Sequence, residues 1–140
     1  MTADEAMSLV KSGDHIYIQG STSIPETLVD AMTRQGDRLK GVVLYSGFSV
    51  ARREAPYCHE QYKDSFLVDT CFVSNNVRKW IAEGYGTTTP CFLGEVPSLF
   101  RDGRWPVDVV FLNCSEPDAD GYVSYGVSAD LAVSATECAR

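Results

Sequence analysis

Val107-Asp108-Val109-Val110-Phe111-Leu112-Asn113-Cys114 is the stretch on which the fold turns. Asp108 alone breaks its apolar run before Asn113, and β-branched and aromatic residues dominate it. A strand with one wet face would alternate polar and apolar side chains, whereas a near-continuous apolar run suits a sheet covered on both faces. The reading is a buried strand over 107–114. Upstream of it, Gly94-Glu95-Val96-Pro97 leads into a short helix through Phe100, after the apolar segment Cys91-Phe92-Leu93. Downstream, the segment from Leu131 to Arg140 has helical composition.

The same alternation runs back to the start of the chain. Thr2-Ala3-Asp4-Glu5 has capping-box spacing, and Ala6, Leu9 and Val10 follow at helical intervals up to Gly13-Asp14. His15 to Gln19 reads as a strand and Gly20-Ser21-Thr22-Ser23 as a loop. Ser23-Ile24-Pro25-Glu26 then opens a helix with a Ser cap and a first-turn Pro, ending near Gly36. Val42 to Tyr45 is a strand, Gly47 to Ser65 is irregular, and Phe66 to Val73 is a longer buried strand. Ser74-Asn75-Asn76 caps a helix running to Glu83. Strands alternating with helices define an α/β domain built on an open parallel or mixed sheet with helices on both faces. The chain stops at a helix, where such a sheet would enter its next strand, so the sheet reads as unfinished.

Composition narrows the class. With 140 residues, one domain is expected, able to remove roughly two-thirds of its unfolded surface from water. No segment approaches the ~18 continuous apolar residues of a membrane span, and Met1 to Glu5 lacks a secretory n-region and h-region, so the cytoplasm is the expected compartment. A net charge of −7 argues against a nucleic-acid surface. Five cysteines without a Cys-x-x-Cys pair read as reduced thiols, with Cys71, Cys91 and Cys114 as small buried hydrophobes. Two histidines without ligand spacing give no metal site.

Motif readings are mostly exclusions. Gly84-Tyr85-Gly86 follows a helix and has Thr89 where a third glycine belongs, so it is not a dinucleotide fingerprint. Neither a phosphate-binding Gly-Lys-Ser nor a Gly-x-Ser-x-Gly elbow is present, and Asp118-Ala119-Asp120-Gly121 reads as a turn rather than a calcium loop. The loops after strands carry more. In open α/β sheets ligands gather at the carboxyl ends of strands. Gly20-Ser21-Thr22-Ser23 and Ser74-Asn75-Asn76 stand there by order of elements: a small Gly20 leaves room for substrate against the backbone, and the Ser and Asn side chains either cap a helix or hold a carboxylate. For Glu26 and Glu95, first-turn helix acids, a structural role suffices.

Thr2 to Ala6, Lys11-Ser12-Gly13-Asp14, Val77-Arg78 with Glu83-Gly84, Gly94 to Leu99, Val107-Asp108, Pro117-Asp118 with Gly121, and Gly126-Val127-Ser128 follow in an order and spacing that resembles the acetyl-CoA hydrolase/transferase family, the family I CoA transferases, and within it the 4-hydroxybutyrate branch. The resemblance covers nearly the whole chain. It implies the amino-terminal half, residues 1–140, of an enzyme with two similar α/β halves and its active site between them. Coenzyme A enters as a substrate rather than a resident cofactor, with an acyl-CoA and a small carboxylic acid (4-hydroxybutyrate-, itaconate- or acetate-type) as partners. A complementary carboxyl-terminal half or subunit and homo-oligomeric assembly are also implied. The nucleophilic glutamate, which would form a glutamyl-CoA intermediate, belongs to the other half, so no catalytic residue is assigned here and the segment alone is expected to be inactive. A hydrolase of the same family, or a binding module without chemistry, are the competing readings. Substrate-binding candidates are Gly20, Ser21, Thr22, Ser23, Asn75, Asn76 and Glu95. Branch members tend to carry histidine where Gly20 stands, which implies a different acyl group, and the doublet Arg52-Arg53 suits a dicarboxylate or a solvated face.

Overall fold

The computed structural model describes residues 1–140. Five parallel strands, β1 (His15–Ile18), β2 (Val42–Ser46), β3 (Phe66–Thr70), β4 (Gly86–Thr88) and β5 (Val109–Phe111), lie in the order β4-β3-β2-β1-β5. The helices are α1 (Ala3–Met7), α2 (Glu26–Arg34), α3 (Arg78–Ala82), α4 (Val96–Arg101) and α5 (Asp130–Cys138). Period-two alternation along the strands divides the core. Ile16, Ile18, Leu44 and Val68 pack with Met7, Val29, Met32 and Trp80 of α1 to α3. Tyr17 and Tyr45 point the other way, onto Val96, Leu99, Phe100, Trp105 and Leu131 of the α4–α5 layer. Helices therefore cover both faces, and the sheet is wholly parallel.

Side-chain hydrogen bonds account for where elements stop. The expected strand over 107–114 shortens to three residues because β5 is an edge strand paired only with β1, from Ile16↔Val109 to Ile18↔Phe111. Before it, the Asp108 carboxylate accepts from the His15 amide at 2.9 Å, and beyond it Asn113 N–H turns away to a side chain at 2.7 Å. Cys114 is consequently exposed, a correction to its reading as a buried hydrophobe. β3 ends at Thr70, whose hydroxyl donates to the Ser46 carbonyl at 2.8 Å and accepts from Phe72 N–H at 3.2 Å, turning the chain. The capping box on α1 forms as expected.

Two other caps do not form. α2 begins after Pro25 with no side-chain bond, and Ser23 is buried beneath the preceding loop instead. α3 begins only at Arg78, because Ser74 accepts from the Ser49 amide at 2.8 Å and Asn75 donates to the Ala51 carbonyl at 3.1 Å. Strand β4 has no counterpart in the sequence reading. Gly86-Thr87-Thr88 is too short and polar to signal a strand, and Gly86 is there because a Cβ would stand 3.1 Å from the Val68 carbonyl oxygen.

Asp108 ties the amino ends of β1 and β5. Its carboxyl is held below the usual carboxylate range chiefly by the His15 amide, with the His15 ring and Arg140 adding to this and burial opposing it. A group whose folded pKa is depressed stabilises the fold above its unfolded pKa and loses that contribution as pH falls through the folded one. Asp108→Asn is therefore expected to be less stable than the parent at pH 7, with the difference shrinking below about pH 4, the unfolded carboxylate value. Urea unfolding at pH 7 and pH 3 checks this, and an unchanged difference would refute it.

Candidate functional site

The order of strands fixes where a crevice opens. From β1 the chain winds outward through β2, β3 and β4, then returns to place β5 on the other side of β1. Chain directions thus diverge beyond the carboxyl ends of β1 and β5, the switch point at which open α/β sheets bind ligands. Gln19 to Ser23 lies at that point and separates two clefts. The first, about 450 Å³, is walled by Tyr17, Phe48, Phe72, Leu93 and Leu131, with Gly20, Ser21 and Asp130 at its edge. The second, about 690 Å³, is more polar and takes in Thr22, Glu26, Arg52 and Asn113.

The dividing loop is held by main-chain bonds. Ser21 N–H donates to the Phe48 carbonyl at 2.6 Å, Val50 N–H donates to the Ser21 carbonyl at 2.9 Å, and Ser21 pairs with Ser49 as an isolated parallel bridge. To fit, Ser21 adopts a left-handed φ of 53°, a conformation that costs a non-glycine residue on the order of 1–2 kcal/mol. Gly20, on the cleft, also leaves room for the Phe48 carbonyl, which a Cβ would approach to 2.5 Å.

The sequence-nominated residues separate by position. Gly20 and Ser21 face the first cleft and Thr22 the second. Ser23 is buried under the loop, its N–H donating to the Gly20 carbonyl at 3.1 Å. Asn75 holds the 51 loop from the outside, while Asn76 is buried with its Oδ1 unpartnered. Glu95 lines neither cleft: it is exposed and its carboxylate accepts from Phe92 N–H at 3.1 Å, closing the turn before α4.

Gln19 was missed by the sequence reading, which took it as the last residue of a strand. It is fully buried and accepts from Asn113 N–H at 2.7 Å while donating to the Ser128 and Tyr125 carbonyls at 2.9 and 3.2 Å. One side chain thus joins β1, the end of β5 and the entry to α5 across the switch point. An amide closing an apolar strand just before a glycine was the available signal. Cys71 and Cys91 both line the first cleft. Burial, and secondarily Cys91, pushes the Cys71 thiol up to about 11, so it is a protonated thiol at neutral pH rather than a nucleophile.

A doubly wound parallel sheet with an apolar and a more polar cleft at its switch point is the architecture of a ligand-binding α/β domain. The chain belongs to the acetyl-CoA hydrolase/transferase N-terminal domain family, which it matches over residues 1–140. It is 34% identical over its whole length to a 4-hydroxybutyrate coenzyme A transferase of Clostridium kluyveri, of which it covers 32%. It is 31% identical over 91% of its length to a succinyl-CoA:acetate/propanoyl-CoA:succinate CoA transferase of Fasciola hepatica, covering 26% of that protein. Among solved structures, a 4-hydroxybutyrate CoA-transferase of Porphyromonas gingivalis matches with a TM-score of 0.77 and 28% identity, over 99% of this chain and 30% of that one. RipA of Yersinia pestis, 21% identical, shares the fold over all of this chain and 34% of its own, with a TM-score of 0.85. The chain therefore spans about a third of the length of these relatives. No helix is long and apolar enough to cross a membrane.

Proposed function

We propose that this chain is the amino-terminal domain of a CoA-transferase and forms one wall of its acyl site. What supports the reading most is full-length similarity to proteins named as CoA transferases, combined with coverage of only 32% of the first of them. The exposed apolar side chains fit a half that packs against more polypeptide: Phe48 and Phe72 are about half exposed, and Phe92 and Leu93 are 81% and 66% exposed. The rest of the enzyme, supplied as a carboxyl-terminal half or a second subunit, carries the nucleophile.

In the proposed cycle a glutamate carboxylate of that other half attacks the thioester carbonyl of an acyl-CoA. The C–S bond breaks, CoA leaves as thiolate, and an acyl-glutamyl anhydride forms. The thiolate then attacks the glutamyl carbonyl, releasing the first carboxylate and leaving a glutamyl-CoA thioester. A second carboxylate reverses both steps and departs as the new acyl-CoA. The thioester's energy survives only where water is kept out. This chain supplies the apolar wall of Tyr17, Phe48, Phe72 and Leu131, together with the Ser21 and Thr22 hydroxyls at the divide. Most of CoA's phosphate contacts fall to the rest of the enzyme: the net charge of this chain is −7, and Arg53, Arg101 and Arg104 are paired with Asp30, Glu137 and Asp102. Of the Arg52-Arg53 doublet, Arg53 is paired with Asp30 while Arg52 lines the second cleft; the apolar first cleft suits a 4-hydroxybutyrate- or acetate-type acyl group. The working enzyme is a cytoplasmic homo-oligomer with no resident cofactor.

The test is to treat the intact gene product with an acyl-CoA and then with hydroxylamine or borohydride, and to map modified residues by mass spectrometry. A glutamate outside residues 1–140 is expected to be modified. A folded protein left unmodified by several acyl-CoAs would replace this reading with that of a binding module.

A further inference from the structure

The first cleft differs from its neighbour in charge as well as polarity. Its walls carry no Lys, Arg or His, and its single carboxylate is that of Asp130. Arg52, which hydrogen-bonds no other side chain, lines the second cleft, across the Gly20–Ser23 divide and beside Glu26. Nor does the amino end of α5 offer a place for an anion, because Asp130 stands there itself, its carboxylate accepting from Leu131 N–H at 2.7 Å. The field of Asp130 reaches the floor of the cleft: after burial, it is the main influence raising the Tyr17 hydroxyl above the usual phenol range. A neutral chain entering here meets Phe48, Phe72, Leu93 and Leu131. A chain ending in a carboxylate meets the same apolar walls, a like charge and no counterion from this chain, in a site drier than bulk water.

We propose that this cleft selects uncharged acyl groups, and that Asp130 is the residue that turns away an acyl chain ending in a second carboxylate. The proposal rests on the first cleft being the acyl site of a CoA-transferase. It narrows the substrate class to neutral aliphatic and hydroxy-aliphatic acyl groups and sets dicarboxylic ones aside. Like charges roughly 10 Å apart at an effective dielectric near 20 change a binding constant by about tenfold, which sets the size of the effect to seek.

The experiment compares kcat/KM for butyryl-CoA and succinyl-CoA as donors to acetate, using the intact gene product. Butyryl-CoA is expected to be favoured, and Asp130→Asn to lower that preference about tenfold, chiefly through KM for succinyl-CoA. Asn keeps the acceptor for Leu131 N–H, so the start of α5 is preserved. Leu93→Lys, at a side chain 66% exposed, gives an independent gain-of-function arm by adding a cation to the same wall, and is expected to raise succinyl-CoA use. Equal use of both donors by the parent, or a preference unmoved by either substitution, would overturn the proposal while leaving the transferase reading intact. Transfer from neither donor would instead remove the transferase reading, and the proposal with it.

Discussion

Gly20→Ala is expected to destabilise the domain by about 2 kcal/mol, within the range measured when atoms are forced into a packed interior, and to lower its urea midpoint by roughly 1 M. One methyl group has this effect because of what it meets. The added carbon would stand 2.5 Å from the Phe48 carbonyl oxygen, a main-chain atom with no rotamer in which to retreat. The same carbonyl accepts from Ser21 N–H, so moving it lengthens the bond that fastens the dividing loop to the segment after β2. Gly94→Ala is the control, since its Cβ would meet nothing within 4 Å, and it is expected to stay within about 0.5 kcal/mol of the parent. Room for substrate was the sequence-based reason for Gly20, and it predicts the reverse: lost turnover with stability kept. Measuring both on the intact protein separates the two readings.

Residues that make their own local pattern were legible from sequence. The capping box at Thr2, the apolar run before Asn113 and the Gly20–Ser23 loop after a strand each depend on neighbours within a few positions, and they locate the sheet, its two covered faces and the switch-point loop. Features that depend on contacts between distant segments were not. Ser74 and Asn75 have the composition of a helix cap, but their side chains bond to Ser49 and Ala51, residues that only the β2–β3 pairing brings near. β4 is recognisable only as the fourth rung beside β3. The clefts were half visible: Gly20, Ser21 and Thr22 were nominated, whereas Phe48 lay in an irregular stretch, Phe72 in what read as the end of a buried strand and Asp130 at an unremarkable helix start. Glu95 was nominated through the family resemblance, while its own position at a helix start already gave it a structural role; its carboxylate closes the turn before α4.

Gln19→Met should be the more damaging of the two core changes, costing about 3 kcal/mol in all, although it preserves length and volume. Gln19 makes three hydrogen bonds, each to a main-chain group 94 to 109 residues away along the chain. A thioether replaces none of them, and a buried main-chain group left unpaired costs on the order of 1–3 kcal/mol. Ser128 is the most enclosed of the partners, so the loss should be greatest there, with Asn113 able to recover part of its bond from water. The signature is local as well as global: amide exchange across residues 113–128 is expected to accelerate more than in β1 or β2. Gln19→Glu separates the acceptor from the donor. It can still accept from Asn113, but at neutral pH it sets a carboxylate against the Tyr125 and Ser128 carbonyls. Burial and those carbonyls raise its folded pKa, so its deficit relative to the parent should shrink as pH falls and the protonated acid becomes a donor. If exchange in 113–128 stays slow in Gln19→Met, the segment is held by its own turns, in which Asp118 accepts from Asp120 and Tyr122 and Ser115 accepts from Ser124. The switch point would then be closed from the loop side rather than from β1.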